Sequence, residues 1–253
     1  MRADRAAGLL WHAWQAGERL PGLPDDARPH DRAEAMAAQE CLAGLAGPVF
    51  GWKIAATTEL AQRYLGVGGP LPGMLFERFR HAEGEPVPAD TMTMGVAEPE
   101  FAFRMAADPG PEPSLGAVLD AVDTMVLALE MPDSRYADHR HAGEPHLVAD
   151  VACAGRFVEG SPVPGWRDFD LAGQAVVAFA DGAEFSRGSG GLVLGDPRHA
   201  LHWLAAEIPR YGYRLRPGDI VTTGTATPPV PIAPGRHVSA DFGVLGTVGA
   251  RFT

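Results

Sequence analysis

The chain has 253 residues, 46% of them apolar, and a formal net charge of −11. That length and apolar content suffice for a substantial core at the top of the single-domain range, while the negative balance repels phosphate backbones and anionic lipid, so neither nucleic acid nor membrane is expected as a partner. No window approaches eighteen consecutive apolar residues, the opening RADRAAGLLWHAWQAGERL lacks the apolar run of a secretory signal, and two cysteines, Cys41 and Cys153, are too few for a disulfide framework; a cytoplasmic protein is the expectation.

Residues 2–19 and 31–46 read as helices. The second is opened by Asp31 with Glu34 three positions later, in the manner of a capping box, and PGLPDDARPH between the two is turn chemistry. From Val49 onward strand-like segments dominate, at 49–55, 96–105, 124–131, 174–180, 219–224 and 237–252, separated by Gly and Pro clusters. Two helices interrupt them. One, SLGAVLDAV, starts at Ser114; the other is GDPRHALHWLAAEIPRYG, with Pro197 in its first turn, Pro209 tightening its last and Gly212 where a C-cap falls. The order predicts an α+β protein in which a helical N-terminal region, residues 1–48, precedes a strand-rich region, residues 49–253.

Chemistry concentrates in three stretches. Of 21 Lys plus Arg residues only Lys53 is lysine, leaving 20 arginines, so the one ammonium is a candidate for a position that guanidinium cannot fill. Lys53 lies in VFGWKIAATT, an apolar β-forming run with Trp52 and Ile54 on one face and Lys53 on the other, and is expected to be at least half buried. In AEPEFAFRM, alternation puts Phe101, Phe103 and Met105 on one face and Glu98, Glu100 and Arg104 on the other. The third stretch, VLALEM, ends an apolar run in Glu130, and a carboxylate so placed needs a cation or hydrogen-bond donors. If strand 124–131 lies beside strand 96–105, Glu98, Glu100 and Glu130 converge, and three buried carboxylates stay ionised together only around a positive centre. An all-oxygen site selects a hard divalent cation, Mg²⁺ or Mn²⁺. The alternative is a wet acidic face with Glu130 paired to Arg135 or Arg104.

The succession GWKIAATTELAQRYLGV, GMLFERF, EPEFAF, LALEMPDSR, GSGGLVLGDPRHALHWLAAEIPRYGYRLRPGDIVTTGTATPPVPIAPG and LGTVGARF resembles the 2-keto-4-pentenoate hydratase and 4-oxalocrotonate decarboxylase branch of the fumarylacetoacetate hydrolase superfamily, from about residue 50 to the C-terminus. The resemblance implies a mixed β-roll with peripheral helices, so that residues 49–253 form a metal-binding catalytic domain that assembles as a homo-oligomer. It implies metal ligands at Glu98, Glu100 and Glu130, acid/base roles for Lys53 and Glu77, and substrate contacts from Thr223, Gly224, Thr225 and Arg135. The implied substrate is a small 2-oxo acid or its 2-hydroxydienoate tautomer, met in the catabolism of aromatic compounds. Hydration to a 4-hydroxy-2-oxo acid is the leading expectation, with decarboxylation as the alternative because Ala152, Cys153 and Ala154 stand where hydratases carry a serine-rich patch and TTGTATPPVPI is rich in proline. A C–C bond hydrolase would need a water-activating base, for which His81 with Glu77 or Glu83 is the candidate. A non-catalytic partner subunit that keeps scaffold and metal is the reading from a different class. Elsewhere, DHRHAGEPH with His139 and His141 reads as an exposed turn, GSGG as a turn, and Cys153 as packed core.

Overall fold

A computed structural model describes all residues, 1–253. In chain order the elements are α1 (Arg2–Ala16), α2 (Arg32–Ala46), β1 (Val49–Ala55), α3 (Glu59–Leu65), β2 (Leu71–Phe76), β3 (Arg80–Ala82), β4 (Pro86–Val87), β5 (Val96–Met105), α4 (Leu115–Asp120), β6 (Val122–Met131), α5 (Glu144–Ala149), β7 (Arg156–Pro162), β8 (Ala175–Ala180), β9 (Ala183–Ser189), α6 (Pro197–Glu207), β10 (Ile220–Thr225), β11 (Val230–Pro231), β12 (His237–Asp241) and β13 (Thr247–Phe252). No helix is long and apolar enough to cross a membrane.

The first helices form where the caps and small residues place them. Gly17, left-handed at φ 66°, ends α1 three residues short of the expected boundary. Asp31 caps α2 by accepting from the Glu34 amide at 2.9 Å, while Glu34 returns the bond one residue early, to the His30 amide at 2.9 Å. Ala6, Ala7 and Leu10 of α1 and Ala35, Met36, Ala38 and Leu42 of α2 are buried in the same apolar cluster as the strands, so residues 1–48 share the core of the sheets.

One sheet runs β2-β1-β10-β5-β6-β7-β3, with β11 added on β5, and a second runs β4-β13-β12-β8-β9. The first sheet curls on itself. Phe50 of β1 and Phe157 of β7 are four places apart in strand order, yet their rings lie 5.6 Å apart, and the Arg80 guanidinium of β3 sits 4.9 Å from the Phe50 ring. The second sheet packs on the outside of the curl, where Phe242 meets Phe101 edge-on at 5.1 Å. This is the mixed β-roll expected, with three differences. Four helices rather than two interrupt the strands, the additional ones being the short α3, capped by Thr58, and α5, which begins at Glu144 inside DHRHAGEPH. The segment 237–252 is a hairpin, β12 and β13, turned at Gly243–Leu245. Strands β2, β7 and β9 carried no readable pattern: β2 is buried at every position, so it lacks alternation, β7 ends in Gly-Ser-Pro, and β9 is a largely exposed edge.

Close strand contacts fix where glycine must stand. A Cβ on Gly51 would lie 2.0 Å from the backbone carbonyl oxygen of Ile220, its register partner across the parallel β1–β10 pair. We therefore expect Gly51→Ala to destabilise the fold by about 3 kcal/mol, the upper range for overpacking, in equilibrium urea unfolding; an unchanged midpoint would contradict this packing.

Candidate metal centre

The antiparallel pairing of β5 with β6 sets Glu98 opposite Glu130 and Glu100 opposite Ala128. Strand alternation then turns all three glutamates to the inner face of the curl, where one carboxylate oxygen from each lies within 4.8 Å of the others. Glu100 and Glu130 are buried and Glu98 is half-buried, so the cluster opens outward past Glu98.

Glu100 is held by β10. The register between β10 and β5 slips between Thr222 and Thr225, a bulge that aims the Gly224 amide at Glu100 Oε2 (2.7 Å), and the Thr222 hydroxyl donates to the same oxygen. Gly224 has φ 103°, and a Cβ there would meet Thr57 Oγ1 at 2.2 Å, so both the bulge and the close approach demand glycine. Glu100 Oε1 and both Glu130 oxygens are buried with no hydrogen-bond partner, and of the three only Glu130 Oε2 has an ion-pair partner, Lys53.

Lys53 is equally buried, at 2% exposure. Its Nζ lies 3.2 Å from Glu130 Oε2 and donates to the Ala152 carbonyl at 3.2 Å. Burial alone would pull the ammonium's pKa down, but the charges of Glu130, then Glu98 and Glu100, more than reverse this and raise it. Burial pushes the Glu98 carboxyl up to about 7, against the pull of Lys53. Burial, then the charges of Glu130 and Glu98, push Glu100 up to about 8. Burial also raises Glu130, although Lys53 opposes it. Three carboxylates and one ammonium leave two uncompensated negative charges and two orphaned oxygens, a donor set that fits a hard divalent cation such as Mg²⁺ or Mn²⁺.

Several residues expected at the site stand elsewhere. Glu77 opens a turn after β2, its side chain is 52% exposed and it pairs with Arg80 at 3.2 Å. Lys53 is the register partner of Gly73, four residues earlier on that strand and roughly 13 Å away along it, so Glu77 is not the group beside Lys53. Arg135 is wholly buried and donates to Asp150 Oδ1 and to the carbonyls of Ala154 (2.7 Å) and Asp150 (2.6 Å), so its guanidinium is not available to a substrate. The Thr223 hydroxyl is spent on the Phe101 carbonyl at 2.8 Å, and that of Thr225 on the Thr227 carbonyl at 2.7 Å; only Gly224 of that trio touches the cluster. Thr222, which lies outside the expected trio, is the hydroxyl that does. Its signal was strand parity, since Thr222 is the register partner of Lys53.

No His–Glu pair forms for a hydrolase. Glu83 accepts from the Gly249 amide at 3.0 Å, and His81 Nε2 is buried without a partner. His141 is exposed against Asp138, as expected of a turn, but His139 is half-buried with its Nε2 enclosed and without a hydrogen-bond partner, which an exposed turn does not predict. GSGG does more than turn: Cβ atoms on Gly188 and Gly190 would meet the carbonyl oxygens of Ala226 and Leu171 at 2.0 Å each.

Residues 74–253 match the family model described as fumarylacetoacetate (FAA) hydrolase C-terminal. A 2-keto-4-pentenoate hydratase of Burkholderia vietnamiensis (strain G4 / LMG 22486) is 34% identical over 98% of this chain and 96% of the relative. A 4-oxalocrotonate decarboxylase of Pseudomonas sp. (strain CF600) is 31% identical over 81% of this chain and 77% of the relative. Among solved structures, the 4-oxalocrotonate decarboxylase from Pseudomonas putida G7 complexed with magnesium and adipate superposes with a TM-score of 0.88 at 27% identity, covering 99% of this chain and 98% of that one. The chain belongs to the fumarylacetoacetate hydrolase family. The hydratase matches over nearly its full length, and the solved decarboxylase shares the roll described above.

The raised carboxyls make a pH prediction for the metal-free protein. Between the ordinary glutamate value of 4.5 and about 8, the folded chain holds protons that the unfolded chain has lost, so stability falls as pH rises through that window. A divalent cation, which binds the ionised form, removes that loss. Thermal unfolding with EDTA is expected to show a lower Tm at pH 8 than at pH 5.5, and millimolar Mg²⁺ or Mn²⁺ to raise Tm more at pH 8 than at pH 5.5; equal metal stabilisation at both would contradict the assignment.

Proposed function

We propose that the chain is a divalent-metal-dependent lyase for small 2-oxo acids and their 2-hydroxydienoate tautomers, with a reaction of the 2-keto-4-pentenoate hydratase kind. The observation that carries this reading is the meeting of three carboxylates, two of them with orphaned oxygens, beside the only lysine of the chain. Glu98, Glu100 and Glu130 would hold Mg²⁺ or Mn²⁺. Bound there, the cation supplies a positive centre for a 2-oxo acid's carboxylate and 2-oxygen and stabilises the charge that grows as the acid enolises.

The chain's own residues do the rest. Thr222 and the Gly224 amide hold one oxygen of Glu100 in place and leave the other free to face inward. Lys53 carries its proton on Nζ, fixed between Glu130 and the Ala152 carbonyl, and can deliver it to the terminal carbon of the dienol; the proton released by the 2-hydroxyl restores the ammonium and leaves a 2-oxo-3-enoic acid, to which water adds its hydroxyl at C4 and its proton at C3, giving a 4-hydroxy-2-oxo acid. With Glu77 at the surface, Lys53 is the proton carrier of this proposal. Burial of Lys53, Glu100 and Glu130 keeps bulk water from competing for that proton.

Decarboxylation is the second reading, favoured by one observation: the turn that faces Lys53 is Ala152 and Cys153 followed by Ala154, with no hydroxyl to place a water. Cytoplasmic location, homo-oligomeric assembly, the division into a helical region 1–48 and a catalytic region 49–253, and a place in aromatic-compound catabolism belong to the same proposal.

Purified protein freed of divalent cations, then given Mg²⁺ or Mn²⁺, is to be offered a 2-hydroxypenta-2,4-dienoate, a 4-oxalocrotonate and an acylpyruvate, followed by ultraviolet absorbance and product mass. Metal-dependent gain of water is the expected result, loss of CO₂ would establish the second reading, and no turnover of any would refute both. Lys53→Met is expected to keep metal-induced stabilisation while lowering kcat about 100-fold or more, the range of a lost general acid. Glu100→Ala is expected to lose both.

A further inference from the structure

Between α5 and β7 the backbone does something unusual for L-residues. Val151, Ala152 and Cys153 stand one after another in the left-handed region, at φ 46°, 51° and 60°, without a glycine among them. Side chains beyond glycine clash with the neighbouring carbonyl in that conformation, and a β-branched valine clashes most. All three are buried. A strained turn of this kind persists only where its surroundings over-determine it, and such strain gathers at functional sites.

The surroundings are a buried lock built on Arg135 and Asp150, both at 0% exposure. Asp150 Oδ2 accepts from the Ser134 hydroxyl at 2.7 Å and the Arg135 amide at 3.0 Å, and its Oδ1 accepts from Arg135 Nε. The two remaining guanidinium nitrogens grip the carbonyls on either side of the turn, those of Asp150 (2.6 Å) and Ala154 (2.7 Å), and the Asp133 amide holds the Cys153 carbonyl at 2.9 Å. The guanidinium carbon is 3.9 Å from the centroid of the Trp14 ring, so α1 closes the lock from outside.

What the strained turn presents is two carbonyls. That of Ala152 accepts from Lys53 Nζ at 3.2 Å. That of Val151 lies where a Cβ on Gly73 would be 2.0 Å away, and Gly73 is the register partner of Lys53 across β1–β2. The turn is thus pressed onto the strand pair that carries the lysine.

We infer that the Arg135–Asp150 pair is a positioning device for the reaction: it holds the turn 151–153 in its left-handed form so that the Ala152 carbonyl fixes the direction of the Lys53 ammonium, and through Trp14 it makes helix α1 part of the catalytic unit. This rests on the proposed role of Lys53 as proton carrier. Arg135 acts through the turn and touches no substrate.

Because Lys53 is the only lysine, its exposure can be read residue by residue. Acylation of the metal-loaded protein by an N-hydroxysuccinimide ester, followed by peptide mass spectrometry, reports Lys53 apart from the N-terminal amine. Arg135→Gln, which removes both grips on the flanking carbonyls, is expected to let Lys53 acylate at least 10-fold faster and to lower kcat at least 10-fold with KM within about 2-fold. Adding Ala152→Gly should move both readouts back toward wild type, since glycine keeps the left-handed turn without the lock. A merely structural pair would leave acylation and kcat of the folded Arg135→Gln protein unchanged, and that result would overturn the inference. If Arg135→Gln does not fold, Trp14→Leu carries the same two readouts without leaving a buried charge unpaired, and unchanged values there overturn it equally. Absence of turnover by the wild-type protein would refute the lyase reading, whereas the acylation rates decide the positioning of Lys53 on their own.

Discussion

Glu98, Glu100 and Glu130 repel one another, and much of the roll around them answers that repulsion. Two carboxylates at this separation cost roughly 3–4 kcal/mol per ionised pair at an effective dielectric near 20, before any cost of taking them out of water. The chain meets that cost with one ammonium, one hydroxyl and one backbone amide, which is not enough: two buried oxygens remain without partners. A structure that keeps such a cluster in its interior is arranged for a cation that arrives from outside. Two uncompensated charges call for a divalent one, and oxygen donors for a hard one.

The fold's role is to make that crowding reproducible. Register places Glu98 against Glu130, a bulge in β10 swings an amide onto Glu100, and the parallel β1–β10 pair sets Lys53 beside Thr222. Each is a backbone decision, so the cluster does not depend on long flexible side chains finding one another. The same closeness explains the glycines at 51, 73 and 224, each of which lies where a Cβ would strike an atom of a neighbouring segment. The N-terminal helices reach this centre through Trp14 and Arg135 and share one core with the strands.

Much of this was legible in the sequence because the signals were local. The bounds of β1 and β5, the caps at Asp31 and Ser114, and the helix of Pro197–Glu207 followed from alternation, capping residues and proline placement. The three glutamates and Lys53 were legible because a carboxylate in an apolar run and a lone lysine among arginines both contradict their surroundings. The surroundings of Glu77 and Arg135 were not legible, because a motif gives position along the chain and not the partners that the fold supplies there. For Arg135 the deciding partner, Asp150, lies fifteen residues away on a turn whose left-handed backbone no propensity foretells. Alternation turns the hydroxyls of Thr222 and Thr223 to opposite faces, and only the β1–β10 register, which sets Thr222 beside Lys53, decides which of the two faces inward.

The most direct test is where a metal sits. A crystal grown with Mn²⁺ and measured at a wavelength where manganese scatters anomalously is expected to show one strong peak between the carboxylates of Glu98, Glu100 and Glu130, at about 2.1–2.2 Å from an oxygen of each, as oxygen-ligated divalent ions of this size require. A peak elsewhere, or none at millimolar Mn²⁺ with the three carboxylates unchanged, would contradict the assignment of this cluster as the metal centre.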